Sequence, residues 1–101
     1  MLTENEKEQA LERARDCGWD YTHEVQRDGT DTYKYVTKGG CIIAYVDNGC
    51  RASVYDDRIG HTLYSKEFDE KYFFRALAKT AKCADTIADS YESIEREMAG
   101  L

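Results

Sequence analysis

The chain has 101 residues, with 20 acidic and 14 basic side chains, a formal net charge of −6, four cysteines, seven glycines and no proline. That length holds one domain, residues 1–101, and the charge has the wrong sign for direct binding of nucleic acid or an anionic membrane. Hydrophobic residues make up 42% of the sequence, too many for a disordered chain, and the longest uncharged run, residues 39–46, is far short of a bilayer span.

The chain begins MLTENEKEQALERA, too acidic and polar for a secretory signal, which predicts a cytoplasmic protein. Within it Thr3 and Glu6 form a capping box that opens a helix predicted over residues 4–17. Ala10, Leu11, Ala14 and Cys17 give it a thin apolar stripe, and Gly18 suits the cap that ends it. So narrow a stripe predicts a peripheral helix held by docking.

Residues 20–57 alternate like strands and are broken by turn signals at Asp28-Gly29-Thr30, Gly39-Gly40 and Asp47-Asn48-Gly49. The turns predict an antiparallel meander of four strands. In the first hairpin Val25 pairs with Tyr33 and His23 with Tyr35. In the second, Tyr35 pairs with Ala44 and Tyr33 with Val46. In the third, Val46 pairs with Cys50, Ala44 with Ala52 and Ile42 with Val54. These registers agree in placing Tyr21, His23, Val25, Tyr33, Tyr35, Ile42, Ala44, Val46, Cys50, Ala52 and Val54 on one face. Val36, Ile43, Tyr45 and Tyr55 then centre the other face, rimmed by Glu24, Lys34 and Arg51. Residues 61–66 admit a fifth strand.

From Asp69, a candidate N-cap, Phe73, Leu77, Thr80, Ala84, Ile87, Tyr91, Ile94 and Met98 recur at alternating steps of four and three. This heptad seam predicts a helix over 70–98, roughly 43 Å long at about 1.5 Å per residue. A six-residue strand spans only about 20 Å. The helix therefore breaks near Asp85, or its second half packs on the first helix or on another copy of the chain. The expected fold is α+β, in the order α-β-β-β-β-α with room for the fifth strand.

The acidity is concentrated in the helical ends: residues 1–20 carry −3, residues 21–82 carry +1 and residues 83–101 carry −4. Asp85, Asp89, Glu92 and Glu95 sit along the last helix, where carboxylates oppose its dipole. They serve as a solvated face or as an acidic stripe presented to a basic partner. Cys17, Cys41, Cys50 and Cys83 form no metal-type pair and lack an export signal, so free, mostly buried thiols are expected. No metal or other cofactor is expected. With only His23 and His61 to build on, no catalytic arrangement emerges, and His23, on the inward face, reads as a hydrogen-bonded structural residue. Gly39-Gly40 lies in no phosphate-binding motif.

The sequence offers three classes of partner. The helix–strands–helix order resembles the double-stranded RNA-binding domain, with Arg75, Lys79 and Lys82 along one side of the last helix. That family has three strands, however, and a Lys-rich motif that is absent here, so these bases are expected to pair with Glu67, Asp69 and Asp85. Protein binding fits better: there are eight tyrosines, and Tyr45, Tyr55, Val36 and Ile43 make a patch that is either a docking surface or the bed of the long helix. A homodimer seam through Ile87, Tyr91, Ile94 and Met98 is also expected. In size, acidity, reduced cysteines and layout the chain resembles the small phage-encoded inhibitors of the anti-CRISPR kind, and equally bacterial immunity proteins and antitoxins. The resemblance implies a non-enzymatic protein in a bacterial host cell that blocks a basic nucleic-acid-handling protein, with no residue roles carried over.

Overall fold

The capping box at Thr3 forms as the sequence predicts. Thr3 Oγ1 accepts from the Glu6 N–H at 3.1 Å, and Glu6 Oε1 accepts from the Thr3 N–H at 3.2 Å. The computed structural model, which describes residues 2–47 and 51–99 with the side chains of 95–99 excepted, builds α1 (Glu4–Asp16) from this start. Gly18, at φ +97°, turns the chain so that the Trp19 N–H reaches the Ala14 carbonyl at 2.9 Å. Ala14 is fully buried, but Cys17 is exposed, so the apolar stripe ends one turn earlier than expected.

Five strands follow, β1 (Thr22–Val25), β2 (Asp31–Val36), β3 (Ile42–Asp47), β4 (Arg51–Asp56) and β5 (His61–Glu67), in one antiparallel sheet whose spatial order is the chain order. The fifth strand is thus present, joined to β4 by a bulge at which Val54 faces Tyr64 while Tyr55 faces Thr62. The middle hairpin has the predicted register, Tyr33 opposite Val46 and Tyr35 opposite Ala44. Both outer hairpins depart from prediction by two residues.

In the first hairpin His23 faces Tyr33 and Val25 faces Asp31. The reason is the position of Gly29: at φ +86° it is the last residue of the turn, so the Gln26 N–H donates to the Thr30 carbonyl at 2.8 Å and Thr30 lies past the turn, just before β2. In the third hairpin Val46 faces Ala52, Ala44 faces Val54 and Ile42 faces Asp56. There Asp47 Oδ1 accepts from the Arg51 N–H at 3.1 Å, which ends the strand at Asp47 instead of starting the turn there. Cys50, Asn48 and Gly49 lie outside the described residues. A two-residue slip leaves every side chain on its face, so the predicted faces survive.

The last helix opens on Asp69, whose carboxylate accepts from the Lys71 N–H at 3.1 Å, and on a 3-10 turn, Glu70–Tyr72. It continues as one helix, α2 (Phe73–Ala99), so the break near Asp85, one of the two alternatives, does not occur. It lies across β3 and β4 on the inner face of the sheet. Phe73, Ala76, Leu77, Ala81 and Ala84 close there on Tyr33, Ile42, Ala44, Val46, Ala52 and Val54, all buried. The alanines on both surfaces let the two backbones approach closely, and the burial of aliphatic and aromatic side chains at about 1.5–3 kcal/mol each dominates stability.

β1 lies beyond the reach of this helix. His23 and Val25, expected in the core, are exposed, Val25 at 66%. His23 still has a structural partner, Asp31 Oδ1 at 2.8 Å, and its ring stacks on Tyr33 with centroids 5.0 Å apart. α1 docks on the first half of α2, where the Arg13 guanidinium lies 4.0 Å over the Phe74 ring and the Leu2 N–H donates to Glu70 Oε1 at 3.1 Å. Beyond the sheet, Ile87 and Tyr91 are half-buried and Ile94 is 51% exposed. The free thiols are also less buried than expected, with Cys17 exposed and Cys41 and Cys83 intermediate. No described helix is long and apolar enough to cross a membrane.

Candidate functional site

Because α2 takes the inner face, the outer face has no helix over it. The residues predicted for its centre come together through the ladder: Val36 faces Ile43, Ile43 faces Tyr55, Lys34 faces Tyr45. The Tyr45 and Tyr55 rings meet edge to face, with centroids 6.5 Å apart at 68°. Ile43 is buried beneath them, both tyrosines are half-buried, and Val36 is 46% exposed. The rim is internally neutralised, Lys34 by Glu24 at 3.4 Å and Arg51 by Glu67 at 3.1 Å. Sequence reasoning missed two further exposed apolar residues, Ile59 in the β4–β5 loop and Leu63 on β5. Leu63 is the extra residue of the β5 bulge, and a bulge leaves no mark in an alternating pattern. Gly60 holds the β4–β5 loop against this patch, a Cβ there lying 3.6 Å from Tyr55 Oη.

The acidic residues predicted as a stripe on α2 have separate roles. Asp85 Oδ1 accepts from the Tyr35 hydroxyl at 2.8 Å and Asp85 Oδ2 from Trp19 Nε1 at 3.2 Å, so its carboxylate is used inside the molecule. Burial and then this bond push the Tyr35 hydroxyl up to about 12. Beside it, Tyr21 donates to the Leu77 carbonyl at 2.8 Å, and burial raises its hydroxyl further still. Asp89 is exposed, Glu92 Oε1 lies 3.9 Å from Lys38 Nζ, and the Glu95 side chain lies outside the described residues. A more regular acidic row, which the sequence reading passed over, runs along α1. Glu4, Glu8, Glu12 and Asp16 stand four residues apart, all exposed. Four-residue steps along a helix were the signal that would have found it.

The seam residues are likewise divided. Ile87 and Tyr91 pack on the chain's own core, with the Arg58 guanidinium 4.3 Å over the Tyr91 ring. Ile94 remains open, and the Met98 side chain lies outside the described residues. Arg75, Lys79 and Lys82 do not pair with Glu67, Asp69 and Asp85, since Glu67 holds Arg51, Asp69 caps the helix and Asp85 holds Tyr35 and Trp19. Asp56, next inward after Val54, is fully buried. One of its oxygens accepts from the Arg58 N–H at 3.0 Å and the other has no donor among the described residues. No group of three or more metal-ligating side chains occurs among the described residues. The tyrosine patch and the helical acids thus lie on opposite sides of the sheet. No protein-family model, curated protein or solved structure matches the chain.

Proposed function

We propose that this chain is a non-enzymatic inhibitor that binds a basic nucleic-acid-handling protein in the cytoplasm of a bacterial host, and that the open face of its sheet is the anchoring surface. The observation that carries this reading is the cluster of Tyr45, Tyr55 and Val36 over buried Ile43 on the sheet face opposite α2. Two tyrosines over a buried aliphatic floor are the side chains on which interface energy concentrates. The basic partner follows from the net charge of −6 and from the exposed carboxylates along α1 and at Asp89. The molecule is 19 Å through its thinnest axis, about twice the Debye length of roughly 8 Å at physiological salt. Those acids therefore act on encounter with the partner, while the tyrosines act on residence.

The test uses the tagged full chain to capture partners from bacterial lysate at low and high salt, identified by mass spectrometry. A stoichiometric basic nuclease or effector, inhibited by the chain, is the expected result. Tyr45→Ser with Tyr55→Ser should speed dissociation at least tenfold, and Glu8→Ser, Glu12→Ser and Asp89→Ser should slow association without changing dissociation. Capture unaffected by the tyrosine pair rejects the anchoring face. Capture unaffected by salt and by the acid variants rejects the electrostatic steering of encounter. An immunity protein or antitoxin is the same reading with a toxin nuclease as target.

The exposure of Ile94 supports a second reading, a homodimer joined beyond the sheet through the end of α2. Ile94→Asp should then halve the mass in solution, and an unchanged mass rejects it.

A further inference from the structure

We propose that the cleft between β5 and the first half of α2 binds an extended acidic peptide segment that carries one bulky apolar side chain. This cleft is on the helical side of the sheet, away from Tyr45 and Tyr55, and stands independently of the function proposed above. Its apolar lining includes Tyr64, Phe68 and Tyr72, and its charged lining is Lys66, Arg75 and Lys79 with the carboxylates of Glu67 and Asp69. Its volume is about 230 Å³, below the roughly 300–1,000 Å³ of small-molecule sites, which suits one side chain better than a metabolite.

Charge selects the occupant. In a chain of net charge −6, this cleft sets three cations against two carboxylates, and no described carboxylate is in ion-pair range of any of the three. The two acids of the lining are engaged with other groups, Glu67 with Arg51 and Asp69 with the helix cap, which leaves the cations to an incoming ligand. A complementary ligand therefore brings carboxylates around an apolar anchor.

Backbone geometry selects its conformation. Among the described residues β5 has β4 on one side and no strand on the other, so its outer row of N–H and C=O groups is unpaired by any described strand. Past the bulge at residues 62–64 the strand is regular, and that stretch borders the cleft. An added strand places alternate side chains toward the helix, where one fills the cleft while its acidic neighbours meet Lys66, Arg75 and Lys79. Single-stranded nucleic acid fits less well. Tyr72, the exposed aromatic, already has Lys71 Nζ at 5.1 Å and Arg75 Cζ at 5.2 Å from its ring centroid, where a base would stack.

The experiment selects a random peptide library on the full chain and titrates the enriched peptides into it. Arg75→Glu/Lys79→Glu serves as the comparison, with circular dichroism to show that both exposed substitutions leave the fold intact. The expected sequences carry Asp or Glu on both sides of a large apolar residue. They should bind about tenfold more weakly to the charge-reversed chain and shift the amide signals of β5 and of residues 72–80. Tyr45→Ser with Tyr55→Ser should leave this binding unchanged, which separates it from the open-face reading. Failure to enrich any peptide, enriched peptides without acids, or binding indifferent to the charge reversal each overturn the proposal. So does tighter binding of oligothymidylate than of peptide, or a dimeric mass that the charge reversal abolishes.

Discussion

Asp85 gives the sharpest test of how this fold is held together. Replacing it with Ala removes the acceptor for both Tyr35 on β2 and Trp19 in the α1–β1 connection, so a single change unties α2 from two other segments. A hydrogen bond to a charged group contributes about 1.5–3 kcal/mol. Both donors are half-buried and recover part of that from water, which leaves a net loss of about 2–3 kcal/mol. In a domain of this size each kcal/mol moves Tm by about 4–8 °C, so the variant should melt about 10–20 °C lower. Asp89→Ala, one turn on and exposed, should change stability by less than about 0.5 kcal/mol. Asp85→Asn should fall between, because an amide serves Tyr35 but opposes a donor to Trp19 Nε1. Urea unfolding followed by circular dichroism measures the global loss. Fluorescence of Trp19, the only tryptophan, reports the bond itself. If Asp85→Ala loses no more than Asp89→Ala, the carboxylate is solvated and the reasoning fails.

Alkaline pH probes the same bond. With the Tyr35 hydroxyl raised to about 12, its contribution to stability is complete below the unfolded tyrosine value of about 10 and is lost as pH climbs from there toward 12. An ultraviolet titration should show Tyr35 ionising late, with Tyr21 later still, and Asp85→Asn should move Tyr35 part of the way back. Leu77→Ala, at the fully buried centre of α2, should cost about 2–5 kcal/mol and lower the urea midpoint without changing the folded spectrum. Gly18→Ala should cost about 1 kcal/mol by thermal melting, all of it backbone strain at φ +97°, since a Cβ there meets nothing within 4 Å.

The fold was legible wherever a local rule acted alone. The capping box at Thr3, the alternation of β2 and β3 and the seam from Phe73 to Ala84 each follow from spacing, and each is present. Two hairpin registers were not legible. Three mutually consistent face assignments cannot expose an error of two residues, and only the backbone roles of Gly29 and Asp47 resolve it. The exposure of Val25 is a tertiary fact, set by where α2 crosses the sheet. The acids of α2 illustrate a further limit. Asp85, Asp89 and Glu92 have the same chemistry and similar spacing, yet Asp85 holds two other segments, Asp89 faces water and Glu92 meets Lys38. The sequence separates these roles only once Trp19 and Tyr35, 66 and 50 residues away, have been brought to Asp85.

That separation has a kinetic consequence. Because strand order is chain order, every sheet contact joins sequence neighbours across a short turn, and the meander can assemble hairpin by hairpin on the microsecond scale of such units. Helix docking is different: the Tyr21 to Leu77 bond closes 56 residues and the Trp19 to Asp85 bond closes 66. Its closure entropy falls due before most of the apolar surface is buried. The turn glycines therefore govern how fast a sheet is offered, and the α2 face governs how long the finished molecule lasts. Substitutions at Gly29 or Gly39 should register mainly in the refolding rate, and substitutions at Asp85 mainly in the unfolding rate.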